Sequence, residues 1–271
     1  GLISSWIKFT ADDGKIHGRC ISNGAVTGRM THHSPNLGQV PSITSEYGEE
    51  CRQLFIPDDG HVLVGADLSG IELRCLAHYM QDADYTREIL EGDIHTKNQH
   101  SAGLATRAQA KTFIYATLYG AGAAKIGSIV DGNAKDGQKL MDNFYKNTPK
   151  LAELAEKVQR LASRGYIRAL DGRRIAIRSQ HAALNSLLQS CGAVIAKQWV
   201  VEVHKLMRAN GMTFRQVAVV HDEIQASVPK DQAVKVGELM VEAALKAGET
   251  LKFRLPVAAD YAMGSSWLDT H

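Results

Sequence analysis

A chain of 271 residues with a formal charge of +2 is long enough for one large domain or two modest ones with a sizeable core. That balance excludes a uniformly basic coating, so any polyanion site must be a local patch. The four scattered cysteines contain no CxxC pair, which argues against a disulfide framework or a cysteine-built zinc site and for a reducing compartment; no window approaches the ~20 apolar residues of a membrane span.

The start, "GLISSWIKFTADDGKIHG", has neither an initiator Met nor the basic and apolar regions of a signal peptide. The expectation is a fragment, a processed piece or a truncated chain. The first fifty residues, rich in Gly, Ser, Thr and Asn, read as strands and turns, and "THHSPNLGQVPS" (31–42) reads as loop, broken by Pro35 and Pro41. "HVLVGADLSG" is a short apolar strand ending at Asp67, and "IELRCLAHYM" is helical. A helix-rich block runs over 93–164. Within it, Thr106 and Gln109 form a capping box and Gly120 a stop. Pro149 opens a further helix with an apolar stripe of Leu151, Leu154, Val158 and Leu161, closed by Gly165. A hairpin turns at Asp171-Gly172, and a long helix over 182–208 stops at Asn210-Gly211. A strand pair around 217–228, a helix over 231–248 and a strand over 257–261 close the chain. Strands and helices mix without regular βαβ alternation, so the expected class is α+β.

"VAVVHDEIQASV" (217–228) sets His221, Asp222 and Glu223 inside an apolar run, where charge is costly unless paired. Upstream, Asp67 also ends a strand, and each aspartate is followed by a second acid, Glu72 or Glu223. Two such aspartates can meet on one sheet and offer hard oxygen ligands to a divalent cation. A solvated hairpin tip is the competing reading, and the spacing leaves both open. In "TRAQAKTFIYATLYG", Arg107, Lys111, Tyr115 and Tyr119 recur every four residues along one helix face. Cations near the helix N-terminus suit a polyphosphate, and the tyrosines suit a base or sugar. On this segment alone, a wet basic face without function is the favoured reading.

Taken together, these segments resemble a known family. "DLSGIELR" (67–74), Arg107…Lys111…Tyr115…"YG" (119–120) and "VHDEIQ" (220–225) resemble, in order, motifs A, B and C of family A, Pol I-type, DNA polymerases. "TGRMTHHSPNLGQVP" (27–41) resembles that family's primer–template segment. "GDIHTKNQ" (92–99) and "HAALNSLLQSCGA" (181–193) are similar to the replicative polymerases of short-tailed bacteriophages, and "MGSSW" resembles the family's close.

The resemblance implies a right-hand polymerase: palm over 1–79 and 185–271, helical fingers over 80–184. Its implied activity is template-directed addition of dNTPs to a primer 3′-OH. Asp67 and Asp222, with the Leu68 carbonyl, would hold two Mg²⁺ ions; Arg107, Lys111 and His95 would grip the triphosphate, with Lys111 protonating the pyrophosphate. Tyr115 would pack on sugar and base, Tyr119 would shape the insertion site, and Glu72 would exclude a 2′-OH. Arg29, Asn185, Gln189, His221, Gln39 and, more weakly, Asn36 would touch the primer or the minor-groove edge. Glu223 ranks below the two aspartates. Arg173, Arg174 and Arg178 are either template-phosphate contacts or a solvated basic hairpin.

Nothing in the chain resembles the thumb or exonuclease domain of full-length relatives. The expected partners are therefore primer–template DNA, dNTPs, an N-terminal thumb/exonuclease polypeptide or segment, and a processivity factor, in the (host) cytoplasm and away from membranes. Competing readings are a catalytically silent DNA-binding remnant and a single-subunit RNA polymerase relative, the latter opposed by Glu72.

Overall fold

The computed structural model describes residues 2–271. α1 (Leu2–Ile7) precedes a small antiparallel ribbon, β1 (Arg19–Ile21) with β2 (Thr31–His33). This corrects the reading of 31–42 as loop throughout. Thr31–His33 pairs with Arg19–Ile21, and the prolines act only beyond it. α1 and α2 (Gly48–Gln53) lie where strands and turns were expected; at six residues each they are too short to show a period.

β3 (His61–Leu68) and α3 (Ile71–Met80) follow, then α4 (Ala83–Leu90), α5 (Ile94–Ala102), α6 (Arg107–Leu118), α7 (Ala123–Gly127), α8 (Ala134–Asn147) and α9 (Pro149–Ala162). A hairpin of β4 (Tyr166–Arg168) and β5 (Arg174–Ala176) leads to α10 (Ala183–Ala209). β6 (Arg215–Val220), β7 (Glu223–Pro229), α11 (Ala233–Thr250) and β8 (Ala259–Gly264) end the chain. The last strand begins two residues later than expected, because Val257 is spent packing on α11 rather than in the ladder. Helices with an antiparallel sheet make the class α+β.

The chain divides into two compact units. One comprises the described residues up to Ile71 with Gly192–His271; the other is Glu72–Cys191. In the first, a four-stranded antiparallel sheet has the order β6-β7-β3-β8. The interior strands β7 and β3 are buried on both faces along most of their length, which explains their continuous apolar runs. β6 is an edge strand with a bulge between Gln216 and Ala218, so Val217, expected in a buried or half-buried strand, is 47% exposed. α11 packs on β3 and β8, and the buried Trp199 of α10 donates from Nε1 to the Met240 carbonyl at 2.8 Å. Gly65 is closely approached: a Cβ there would sit 2.2 Å from Gln225 Nε2 and 2.7 Å from Thr270 Cβ.

The second unit is helical apart from the β4–β5 hairpin. Phe113 of α6 meets Phe144 of α8 edge-to-face at 5.2 Å in its core. On α9, Leu151, Leu154, Val158 and Ala162 are buried, whereas Leu161, expected in that stripe, is 37% exposed. Ala162, four residues after Val158, takes the buried place.

Candidate active site

In the first unit the site begins at one end of the interior strands. Register pairs Asp67 of β3 with Glu223 of β7, and the Leu68 backbone N–H donates to the Asp222 carbonyl at 3.0 Å. Asp67, near the end of β3, and Asp222, just before the start of β7, are 155 positions apart in sequence and are therefore brought together at one end of the two strands. Asp222 does not end a strand, as the sequence suggested. It lies in the two-residue turn between Val220 and Glu223, with His221 at φ 57. A positive φ suits the twist of a tight hairpin, and His is one of the side chains that tolerates it. Asp67 is exposed, Asp222 half-buried and His221 exposed, so the turn carries the acids out of the apolar run to the surface.

Glu223 behaves differently. It is buried, and its Oε1 accepts hydrogen bonds from Trp267 Nε1 at 2.5 Å and Gln225 Nε2 at 2.6 Å, with His271 Nε2 at 3.1 Å. Burial alone would raise this carboxyl, but His271, Gln225 and Trp267 together outweigh it and hold it below the usual value. Arg52 stacks over Trp267 at 4.8 Å. Sequence reasoning missed His271, Trp267 and also His32, whose Nε2 lies 2.7 Å from the Val219 carbonyl just before the turn. Arg29 is half-buried, Gln39 is exposed, and Asn36 caps the short turn Leu37–Gln39 by accepting from the Gly38 N–H at 3.2 Å.

In the second unit, Thr106 and Gln109 form the full capping box at the start of α6. Arg107 and Lys111 are exposed, Tyr115 half-buried and Tyr119 exposed at the helix end. Tyr119 Oη donates to Glu72 Oε1 at 2.8 Å. Asn185 Nδ2 donates to the Tyr119 carbonyl at 3.3 Å, and Gln189 Nε2 donates to Asn185 Oδ1 at 2.8 Å, one turn along α10. His95 lies in the first turn of α5, its ring 6.2 Å from that of Tyr115. Its Nδ1 is buried without a partner among the described residues, and burial with the Arg107 charge lowers its pKa. On the β4–β5 hairpin, Arg173 pairs with Asp171 at 3.3 Å, Arg174 lies 4.7 Å over the Tyr166 ring, and Arg178 is exposed.

Among the described residues no three His, Cys, Asp or Glu side chains cluster closely enough to hold a metal by themselves. Asp67 and Asp222 offer hard carboxylate oxygens, and a Mg²⁺ site needs only one or two of these when substrate phosphates complete the shell. The donor set fits that ion.

Comparison with known proteins identifies the family. The DNA-directed DNA polymerase of Enterobacteria phage T3 is 43% identical over 98% of the chain, and that of Escherichia phage T7 is 42% identical over 98%. The chain spans 43% of the length of each. The POL domain of Pol1 from M. smegmatis, solved in complex with DNA primer-template and dNTP, superposes with a TM-score of 0.89 at 25% identity, covering 99% of this chain and 51% of that one. With residues 2–269 matching the DNA polymerase family A profile, the chain belongs to DNA polymerase family A.

Proposed function

We propose that this chain carries the polymerising centre of a template-directed DNA polymerase, adding dNTPs to a primer 3′-OH with release of pyrophosphate. The observation that carries the reading is the juxtaposition of Asp67, near the end of β3, with Asp222, in the turn before β7, fixed by the Leu68–Asp222 backbone hydrogen bond, in a member of this family. The palm corresponds to 1–79 with 185–271, and the fingers to 80–184.

Asp67, Asp222 and the Leu68 carbonyl would hold two Mg²⁺ ions, which when bound supply a more acidic primer 3′-OH and charge neutralisation on the leaving pyrophosphate. Arg107 and His95 bind the triphosphate, and Lys111 does so while donating a proton from Nζ to the departing pyrophosphate. Tyr115 packs on the incoming sugar and base. Glu72, hydrogen-bonded by Tyr119, excludes a ribose 2′-OH by size. Arg29, His221, Gln39, Asn185 and Gln189 contact primer–template DNA, the amides serving minor-groove acceptors common to every base pair. The reading carries with it a cytoplasmic location, that of the host if the chain is phage-encoded.

The test is Mg²⁺-dependent nucleotide addition to a primed template, by the chain alone and with candidate upstream polypeptides supplying thumb and exonuclease functions, and with a processivity factor. Low processivity alone, restored by such a partner, is expected. DNA binding without extension under any of these conditions would establish the silent-remnant reading instead; preferential ribonucleotide extension would establish the RNA polymerase reading.

A further inference from the structure

The second unit contains a carboxylate to which the sequence reading assigned no role. Asp93 closes the start of α5: its Oδ1 accepts from the backbone N–H of His95 at 3.1 Å and of Thr96 at 3.4 Å, and its Oδ2 from Thr96 Oγ1 at 2.8 Å. The same group takes a fork from Arg107 of α6, with Nε to Oδ2 at 2.6 Å and Nη2 to Oδ1 at 3.1 Å. Both carboxylate oxygens are thus committed, and their orientation is set by α5 before Arg107 arrives.

A guanidinium has five N–H donors in a rigid plane. Asp93 engages one edge of that plane, Nε and Nη2. The Nη1 side has no partner among the described residues and is turned by the fork into one direction. An exposed arginine on a flexible stem would otherwise lose rotamer freedom on meeting a phosphate. The fork removes that loss in advance. His95 is bound to the same anchor through its backbone N–H, and its buried Nδ1 also lacks a partner. The Asp93 carboxyl is held far below the usual carboxylate range, chiefly by Arg107 and then by Thr96, which favours its ionised form.

We propose that Asp93 is a positioning residue that aims Arg107 and His95, from two different helices, at one triphosphate. This rests on the reading of Arg107 as a triphosphate ligand. Asp93 has a rival role as a competitor that occupies Arg107 and must be displaced; the two roles predict effects of opposite sign.

Asp93→Asn separates them, because Asn keeps both the helix cap and the side-chain shape while removing the charge that grips Arg107. The probe is inorganic tripolyphosphate titrated calorimetrically into the unmodified chain, Asp93→Asn, Arg107→Ala and the double variant, with dNTP KM and kcat from primer extension as the second readout. Positioning predicts weaker tripolyphosphate binding by Asp93→Asn, on the order of tenfold, and almost no further loss from Asp93→Asn once Arg107 is Ala. In extension, KM for dNTP rises while kcat changes little. Unchanged or tighter binding by Asp93→Asn overturns the proposal while leaving the polymerase reading intact, as does an equal loss in the Arg107→Ala background. No tripolyphosphate binding and no extension by the unmodified chain overturns both.

Discussion

The Leu68 backbone N–H donates to the Asp222 carbonyl at 3.0 Å, one residue beyond Asp67 on its strand. Neither aspartate depends on a flexible side chain to find the other. The sheet ladder sets their spacing, and the ladder is in turn braced by α11 behind β3. A pair held in this way would need little reorganisation to receive the proposed cation and substrate.

Asp222→Asn keeps size and hydrogen bonding but removes one negative charge from the proposed metal pair. Primer extension should fall by at least about a thousandfold, the equivalent of several kcal/mol of lost charge stabilisation. Primer–template affinity, measured by fluorescence anisotropy, should stay within about twofold. Extension surviving at even a tenth of the normal rate would contradict the assignment.

Tyr119 holds Glu72 by a 2.8 Å hydrogen bond, so the proposed sugar selection has two parts: the carboxylate and the phenol that fixes it. Glu72→Ala should raise the ribonucleotide-to-deoxynucleotide ratio of kcat/KM by on the order of a hundredfold. Tyr119→Phe, which leaves the carboxylate but removes its hydrogen bond from Tyr119, should give a smaller rise of several-fold. If neither variant changes the ratio, Glu72 is not the barrier to a 2′-OH.

The Tyr115 hydroxyl is expected to fill the space of an absent sugar 3′-OH. The unmodified chain should accept dideoxynucleotides readily, and Tyr115→Phe should lower their use by at least about tenfold while sparing dNTPs. Chain-termination patterns from the two proteins on one template report this directly, and identical patterns would exclude the role.

Acid stability provides a separate test of the first unit. Asp58 is paired with Lys15, accepts from Ser227 Oγ at 3.2 Å and meets Arg215 at 3.1 Å. The Lys15 hydrogen bond is the main reason its pKa lies below the ordinary value of 3.8. A depressed carboxyl contributes stability above its unfolded pKa and loses it as pH falls toward the folded one. Asp58→Asn should therefore melt at a lower temperature than the unmodified chain at pH 7, and the gap should close as the pH drops below about 4. A gap that is constant with pH would mean the ionised form of Asp58 carries no stability.

Much of this was legible before any coordinates. The Thr106–Gln109 capping box, Pro149 at the head of α9 and the apolar run of β3 are signals carried by neighbouring residues. Gly120, Gly172 and Gly211 all take positive φ at the stops and the turn expected of them. The misses share a cause. Val217 is exposed because β6 is an edge strand with a bulge, and β2 exists because residues ten to fourteen positions back supply its ladder. Leu161 lost its place in the stripe to Ala162.

The amino-acid order determined most of the helices and strands and the family's motifs, because caps, turns and periodicity act over a few residues. Only the folded chain decided what each charged group became. Asp222 and Glu223 are adjacent and chemically alike, yet one is carried outward by a two-residue turn while the other is buried beneath Trp267 and His271, more than forty positions away. Asp93 shows the same thing, since its fork with Arg107 joins two helices that no local pattern connects. Burial and long-range hydrogen bonds depend on which segments meet, and a linear reading cannot show that.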